Sequence, residues 1–221
     1  MFHFVLLNFE IPMPLVYQQN INALARLGVW HIAEEEHFFT GKVPAPAHIT
    51  HPHKRLQHLA ARILLKELYE DFPLELILIA DTRKPFVPND SFHFSLSHCG
   101  SYAAAIVSKQ GRVGVDIEIP QQKIAALQHK FLGDQELAIL RFDGYNHLQC
   151  LTLAWSIKET IFKWYGLGQI DFKRHIHITS CKVADNQFAA RCTFLKAETI
   201  PLKVSGIFFN DNCLTWLVSE S

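Results

Sequence analysis

Asp116 and Glu118 stand two residues apart in a segment, 112–119, whose apolar and polar residues alternate. On a strand such positions point to one side, with Cα atoms roughly 6.6 Å apart, so two carboxylates can converge on one hard divalent cation. The same pair would equally suit the solvated face of a half-exposed strand, although Asp is a poor strand former. A second group lies in Trp155-Ser156-Ile157-Lys158-Glu159-Thr160-Ile161-Phe162-Lys163. At about 100° per residue, Leu153, Ala154, Ile157, Ile161 and Trp164 make a core face, and Trp155, Ser156, Glu159, Phe162 and Lys163 fall opposite. Glu159 and Lys163 form an i, i+4 pair, which as a plain ion pair is worth about 0.2–0.5 kcal/mol. The large aromatics Trp155 and Phe162 on that second face need a cover, whether another lobe, a ligand or a partner.

A third group is Phe94-Ser95-Leu96-Ser97-His98, a strand that ends in a hydroxyl and an imidazole before Cys99-Gly100. Adjacent Ser and His seldom align as nucleophile and base, whereas small polar groups at a strand end suit a phosphate. Arg83-Lys84-Pro85 puts two cations before a proline in a loop, as many solvated turns do. His48, His51, His53 and His58 invite a zinc reading, but i, i+2 histidines with no nearby thiolate or carboxylate are a weak signal.

The elements that must position these groups can be read from periodicity. Residues 2–7 read as a buried strand, and 21–30 and 34–39 as short helices. A Pro- and His-rich loop, 44–52, leads to a long helix marked by Leu56, Leu59, Ala60, Ile63, Leu64 and Leu68. Residues 74–80 and 102–107 are apolar runs of strand type, and Lys109-Gln110-Gly111 is a hairpin turn into the strand 112–119, which Pro120 stops. Helices follow at 134–141 and about 148–165, then Gly166-Leu167-Gly168 and a strand-like tail from Ile176, clearest at 207–209 and 214–218. The two halves repeat one order of short helical segment, long helix and strands (38–80 and 131–178). That implies an α+β fold of two similar lobes, 1–110 and 111–221, each an antiparallel sheet packed on a long helix.

Composition bounds the function. The 221 residues correspond to about one and a half domains, and 49% hydrophobic residues can bury a sizeable core. Twenty-one basic and 21 acidic residues cancel, so no global basic field holds a nucleic-acid backbone. Five cysteines with no C-x-x-C spacing read as reduced thiols in a cytoplasmic protein. The apolar residues 1–7 have no Lys or Arg before them and make a poor signal peptide, and no apolar run is long enough for a membrane span. Thirteen histidines would turn the chain cationic at mildly acidic pH.

Taken in order, Lys84-Pro85, Phe94-Ser95-Leu96-Ser97-His98, Gly114-Val115-Asp116-Ile117-Glu118 and Trp155-Ser156-x-Lys158-Glu159-x-x-x-Lys163-x-x-Gly166-x-Gly168 resemble the 4'-phosphopantetheinyl transferases. The likeness is to the larger, monomeric, two-lobed Sfp-like class. The motif-bearing part covers roughly 84–168, and the two strongest elements lie about 40 residues apart. The resemblance implies transfer of the 4'-phosphopantetheine arm of coenzyme A to a serine of an acyl or peptidyl carrier protein, with release of adenosine 3',5'-bisphosphate. It implies Mg²⁺, with Mn²⁺ a second candidate, on Asp116, Glu118 and Glu159. Glu159 would take the serine proton, directly or through a water, and Lys163 would meet the leaving phosphate. Lys84, Ser97 and His98 would hold coenzyme A phosphates, His98 near the 3'-phosphate, with Lys158, Arg55 and Arg62 as further contacts. The chain departs from the pattern at Arg83, where Gly is common before Lys-Pro, and at Ser95, where Asn is common.

The carrier protein would dock at the lobe junction, with Lys130, Phe131 and Leu132 as contacts unless Phe131 is core; as a contact, Phe131→Ala would raise KM for the carrier. Two rivals are weighed. A metal-dependent nuclease needs a lysine where Pro120 stands, and a non-catalytic coenzyme A- or carrier-binding module would lose a metal ligand, whereas all three are present.

Overall fold

The computed structural model describes residues 14–44, 46 and 48–219. In chain order its strands and α-helices are β1 (Leu15–Asn20), β2 (Ala25–His31), α1 (Glu36–Thr40), α2 (Pro52–Leu68), β3 (Leu78–Ile79), β4 (Pro85–Phe86), β5 (His93–Cys99), β6 (Tyr102–Ser108), β7 (Val113–Glu118), α3 (Gln122–Phe131), α4 (Asp134–Ile139), α5 (His147–Tyr165), α6 (Phe172–His175), β8 (Ile176–Ala184), β9 (Gln187–Leu195), β10 (Thr199–Phe209) and β11 (Asn212–Val218). The fold is mixed α+β. One antiparallel sheet has the order β1-β2-β6-β5, a second has the order β7-β11-β10-β9-β8, and β3 pairs with β4 apart from both. Among the described residues no helix is long and apolar enough to cross a membrane.

Each large sheet buries one face against a long helix. Leu59, Ala60, Ile63 and Leu64 of α2 pack on Trp30, Ala103, Ala105 and Val107 of the first sheet. Leu153, Ala154, Ile157 and Ile161 of α5 pack on Phe188, Phe194, Val204 and Leu217 of the second, so the helical periodicity identifies the core face correctly. The opposite faces of the two sheets pack on each other through Leu27, Val29, Ala104 and Ile106 on one side and Val113, Val115, Ile117, Leu214 and Trp216 on the other.

Three elements depart from the sequence reading. Segment 21–30, expected as a helix, holds the central strand β2, whose Ala, Leu and Arg content favours helix in isolation. Both of its faces are used: Leu27 and Val29 lie in the sheet-to-sheet layer, and Trp30 packs under α2. The expected strand 74–80 shrinks to two residues after a short 3-10 turn, with Leu76, Leu78 and Ile79 exposed. Helix α3 occupies residues that carried no assignment. The strand expected at 2–7 lies outside the described residues.

β5 and β7 are the edge strands of their sheets and run side by side. The Val115 N–H donates to Ser95 Oγ and the Ile117 N–H to Ser97 Oγ, each at 3.2 Å. Side-chain hydroxyls on one edge thus satisfy backbone donors that the other edge would leave unpaired. Behind β7, Gly114 admits α5: a Cβ there would fall inside the Thr160 carbonyl oxygen and lie 3.0 Å from the Trp164 backbone nitrogen. Gly114→Ala therefore strikes a helix backbone that cannot turn aside. It is expected to destabilise the protein by about 3 kcal/mol, the upper end of overpacking costs, as read from a shift of the urea unfolding midpoint.

Candidate active site

The seam between β5 and β7 leads to a cluster of charges roofed by α5. Asp116, on β7 and 2% exposed, receives Ser97 Oγ (2.9 Å) and Lys163 Nζ (2.7 Å) on Oδ1, and Ser156 Oγ (2.8 Å) on Oδ2. Lys163 also donates to Ser97 Oγ at 2.8 Å. Glu118 receives the Trp155 indole N–H on Oε1 (3.4 Å) and the Cys99 thiol on Oε2 (3.6 Å). Glu159 projects from α5, four residues before Lys163, toward the same carboxylates. Burial pushes its carboxyl up to about 7, with Asp116 and Glu118 adding to the shift and Lys163 opposing it. Burial and then Asp116 likewise raise Glu118. Three carboxylates drawn together and answered by one ammonium are the donor chemistry of a hard divalent cation. As the side chains stand, no group of three His, Cys, Asp or Glu among the described residues is closed around a metal position.

His98 borders the cluster. Partial desolvation and then Lys163 lower its pKa, which favours the neutral ring, and Asp116 opposes them. Beyond it lie His53, whose Nε2 is 2.9 Å from the Gly100 carbonyl oxygen, and His58, pushed down to about 4 by burial and then Arg62. Beside Lys163 a cavity of about 290 Å³ is lined by Thr82, Arg83, Lys84, Ser95, Phe162 and Gly168.

Comparison with known proteins gives this geometry a context. Residues 112–207, which contain Asp116, Glu118, Glu159 and Lys163, match the family described as the 4'-phosphopantetheinyl transferase superfamily. The chain is 31% identical over 153 residues to 4'-phosphopantetheinyl transferase AcpT of Escherichia coli O157:H7, covering 63% of this chain and 76% of that protein. The chain belongs to the 4'-phosphopantetheinyl transferase superfamily. It is also 38% identical over 114 residues to enterobactin synthase component D of Salmonella austin (51% of this chain, 48% of that protein) and 33% identical over 113 residues to the protein so named in Escherichia coli strain K12. The chain thus spans about half the length of these two relatives.

Set against the expectations for this transferase-superfamily chain, Asp116, Glu118, Glu159, Lys163 and His98 gather at one place, and other residues do not. Lys158 is the clearest correction. It is fully buried, its Nζ bonded to Glu136 Oε1 (2.8 Å) and to the carbonyl oxygens of Ile176 (2.7 Å) and Phe172 (3.1 Å), so all three of its donors are used inside the core and none is left for a ligand. Ser97 is in the cluster, but its one proton goes to Asp116 and both lone pairs are taken by Lys163 and the Ile117 N–H. As placed, the Ser97 hydroxyl supports Asp116.

Lys84 donates to the carbonyl oxygens of Lys163 (2.7 Å) and Trp164 (3.4 Å), and burial, then Arg112, lowers its pKa to about 8. It caps the end of α5, where Gly166 adopts the left-handed φ of 72° that stops a helix, and keeps one donor for other use. Arg55 is ion-paired with Glu36, and Arg62 reaches the His58 carbonyl oxygen at 3.5 Å. Phe131, offered as a carrier contact, is 1% exposed and stacks edge-on against Trp155 at 5.1 Å; it is core, as is Leu132, and Lys130 remains exposed. The cover that Trp155 and Phe162 required comes from Phe131 and Phe172 of the second lobe itself.

Ser156, Trp155 and Cys99 hold the carboxylates and carried no assigned role in the sequence. Their motif neighbours were the only signal. Removing Lys158 leaves Glu136 as an uncompensated buried charge, so Lys158→Ala is expected to cost about 3–5 kcal/mol of stability. Urea unfolding should report that loss as a lower unfolding midpoint.

Proposed function

We propose that this protein moves the 4'-phosphopantetheine arm of coenzyme A onto a serine of an acyl or peptidyl carrier protein and releases adenosine 3',5'-bisphosphate. The observation that carries the reading is the meeting of Asp116, Glu118, Glu159 and Lys163 at the β5–β7 seam in a chain of this superfamily. Asp116, Glu118 and Glu159 would hold Mg²⁺ or Mn²⁺, whose chemistry is to neutralise pyrophosphate oxygens while the phosphoanhydride breaks. Glu159 accepts the proton of the carrier serine Oγ, directly or through a water, as that oxygen forms its bond to the phosphorus of the pantetheine arm. The P–O bond to the nucleotide breaks, and the Lys163 ammonium meets the charge that develops on the leaving phosphate.

The cavity beside Lys163 would take part of the nucleotide. The third Lys84 donor, His98, Arg55 and Arg62 are the proposed phosphate contacts. The two sheet-and-helix units would divide near residues 110 and 111, with the carrier protein at their junction. The protein would act as a cytoplasmic monomer.

The test is intact-mass spectrometry of an apo acyl carrier protein incubated with the protein, coenzyme A and Mg²⁺. A gain of one phosphopantetheine unit that EDTA abolishes is expected; no gain with several unrelated carriers would sink the reading. Glu159→Gln is expected to lower turnover about 10²–10⁴-fold with an unchanged circular dichroism spectrum, and near-normal turnover would remove Glu159 from proton transfer.

A further inference from the structure

Asp116 is held on Oδ2 from the side away from Lys163. Ser156 of α5 donates there, and behind Ser156 stands Thr215 of β11, directly opposite Asp116 in the β7–β11 ladder. Thr215 Oγ1 lies 2.9 Å from Ser156 Oγ and 3.0 Å from the Ser156 carbonyl oxygen, and the Thr160 hydroxyl contacts Thr215 Oγ1 in turn. Ser156, Thr160 and Thr215 are all 0% exposed, so water cannot substitute for any of these contacts.

Each hydroxyl has one proton to give. A carboxylate paired with an ammonium only accepts, so the Ser156 proton is committed to Asp116. In the contact between Ser156 and Thr215 the donor is then Thr215, which shares its proton between the Ser156 hydroxyl and carbonyl oxygens. Thr160 donates to Thr215. The hydroxyls therefore run in one direction, Thr160 to Thr215 to Ser156 to Asp116, and bonds aligned head to tail polarise one another.

We infer that Thr215 is a positioning residue: its hydroxyl, acting through Ser156, fixes the plane of the Asp116 carboxylate so that Oδ1 faces Lys163. The consequence for catalysis rests on the transferase reading; the positioning itself does not. Nothing in the sequence marks Thr215, which sits in an apolar run with no motif around it.

Two substitutions separate this role from packing. Thr215→Val keeps the volume and removes the donor, while Thr215→Ser keeps the donor and removes a methyl group. In the full chain, without coenzyme A or carrier, Mn²⁺ binding should weaken about tenfold in Thr215→Val and stay within about twofold of the unaltered protein in Thr215→Ser. The Mg²⁺ concentration that half-saturates transfer should follow the same order. A silent Val variant, with or without an impaired Ser variant, assigns Thr215 to packing and overturns the inference. If the unaltered protein neither binds Mn²⁺ nor transfers phosphopantetheine, the transferase reading falls, and crystal structures of the variants decide the positioning. Asp116 turned from its Ser156 contact in Thr215→Val alone upholds it, and Asp116 unmoved in both variants overturns it.

Discussion

The whole site depends on how two sheet edges meet without merging. If β5 and β7 exchanged backbone hydrogen bonds they would form one continuous ladder, with strands about 4.8 Å apart and no room between them for a charged side chain. Instead Ser95 and Ser97 answer the N–H groups of Val115 and Ile117, and a side-chain acceptor sets the strands apart by its own length. Serine is the residue that can do this, since its single carbon places an acceptor close to the backbone while its proton stays available. At Ser97 that proton goes to Asp116, so one hydroxyl satisfies the seam and holds the first carboxylate of the cluster.

Two lysines five residues apart on α5 show how burial decides the use of a charge. Lys158 is sealed in, and its pairing with Glu136 succeeds because every remaining donor and acceptor is met: Glu136 also accepts the N–H groups of Ile178 and Gly133. A pair so enclosed is costly to break and has nothing left to offer a substrate. Lys163 has a quarter of its side chain exposed, and it faces three carboxylates. That imbalance, rather than the presence of a lysine, marks a place where charge can be exchanged with a ligand.

The same distinction sets what the amino-acid sequence could reveal. The period of α5 was legible because it reports one apolar face, and the alternation at 112–119 because β7, though buried on both sides, is apolar on one face and carries Gly114, Asp116 and Glu118 on the other; together they put Asp116, Glu118, Glu159 and Lys163 on surfaces that could meet. β2 was illegible because it buries apolar residues on both faces, which erases alternation and leaves only the helix preference of Ala, Leu and Arg. Lys158 misled for a related reason: it sits at the boundary of the helix sectors, and only the fold places Glu136 within its reach. Phe131 and Phe172, the covers of the aromatic face, lie far enough away in sequence that no local pattern links them to Trp155 and Phe162.

Helix α5 carries half of the site, and it is fixed at both ends by unlike means. At its start Asn146 and Gln149 exchange side-chain and backbone hydrogen bonds, a local cap that any such sequence can form. At its end the cap comes from the other lobe, where Lys84 and Thr82 donate to the carbonyl oxygens of Lys163, Trp164 and Gly166. A cap supplied across the lobe junction ties the rotation of α5 to the first sheet, whose Ser97 shares both Asp116 and Lys163 with it. Loop 82–85 and strand β5 thus grip the same helix at two points, and the position of Lys163 follows from the lobes being docked, not from either lobe alone.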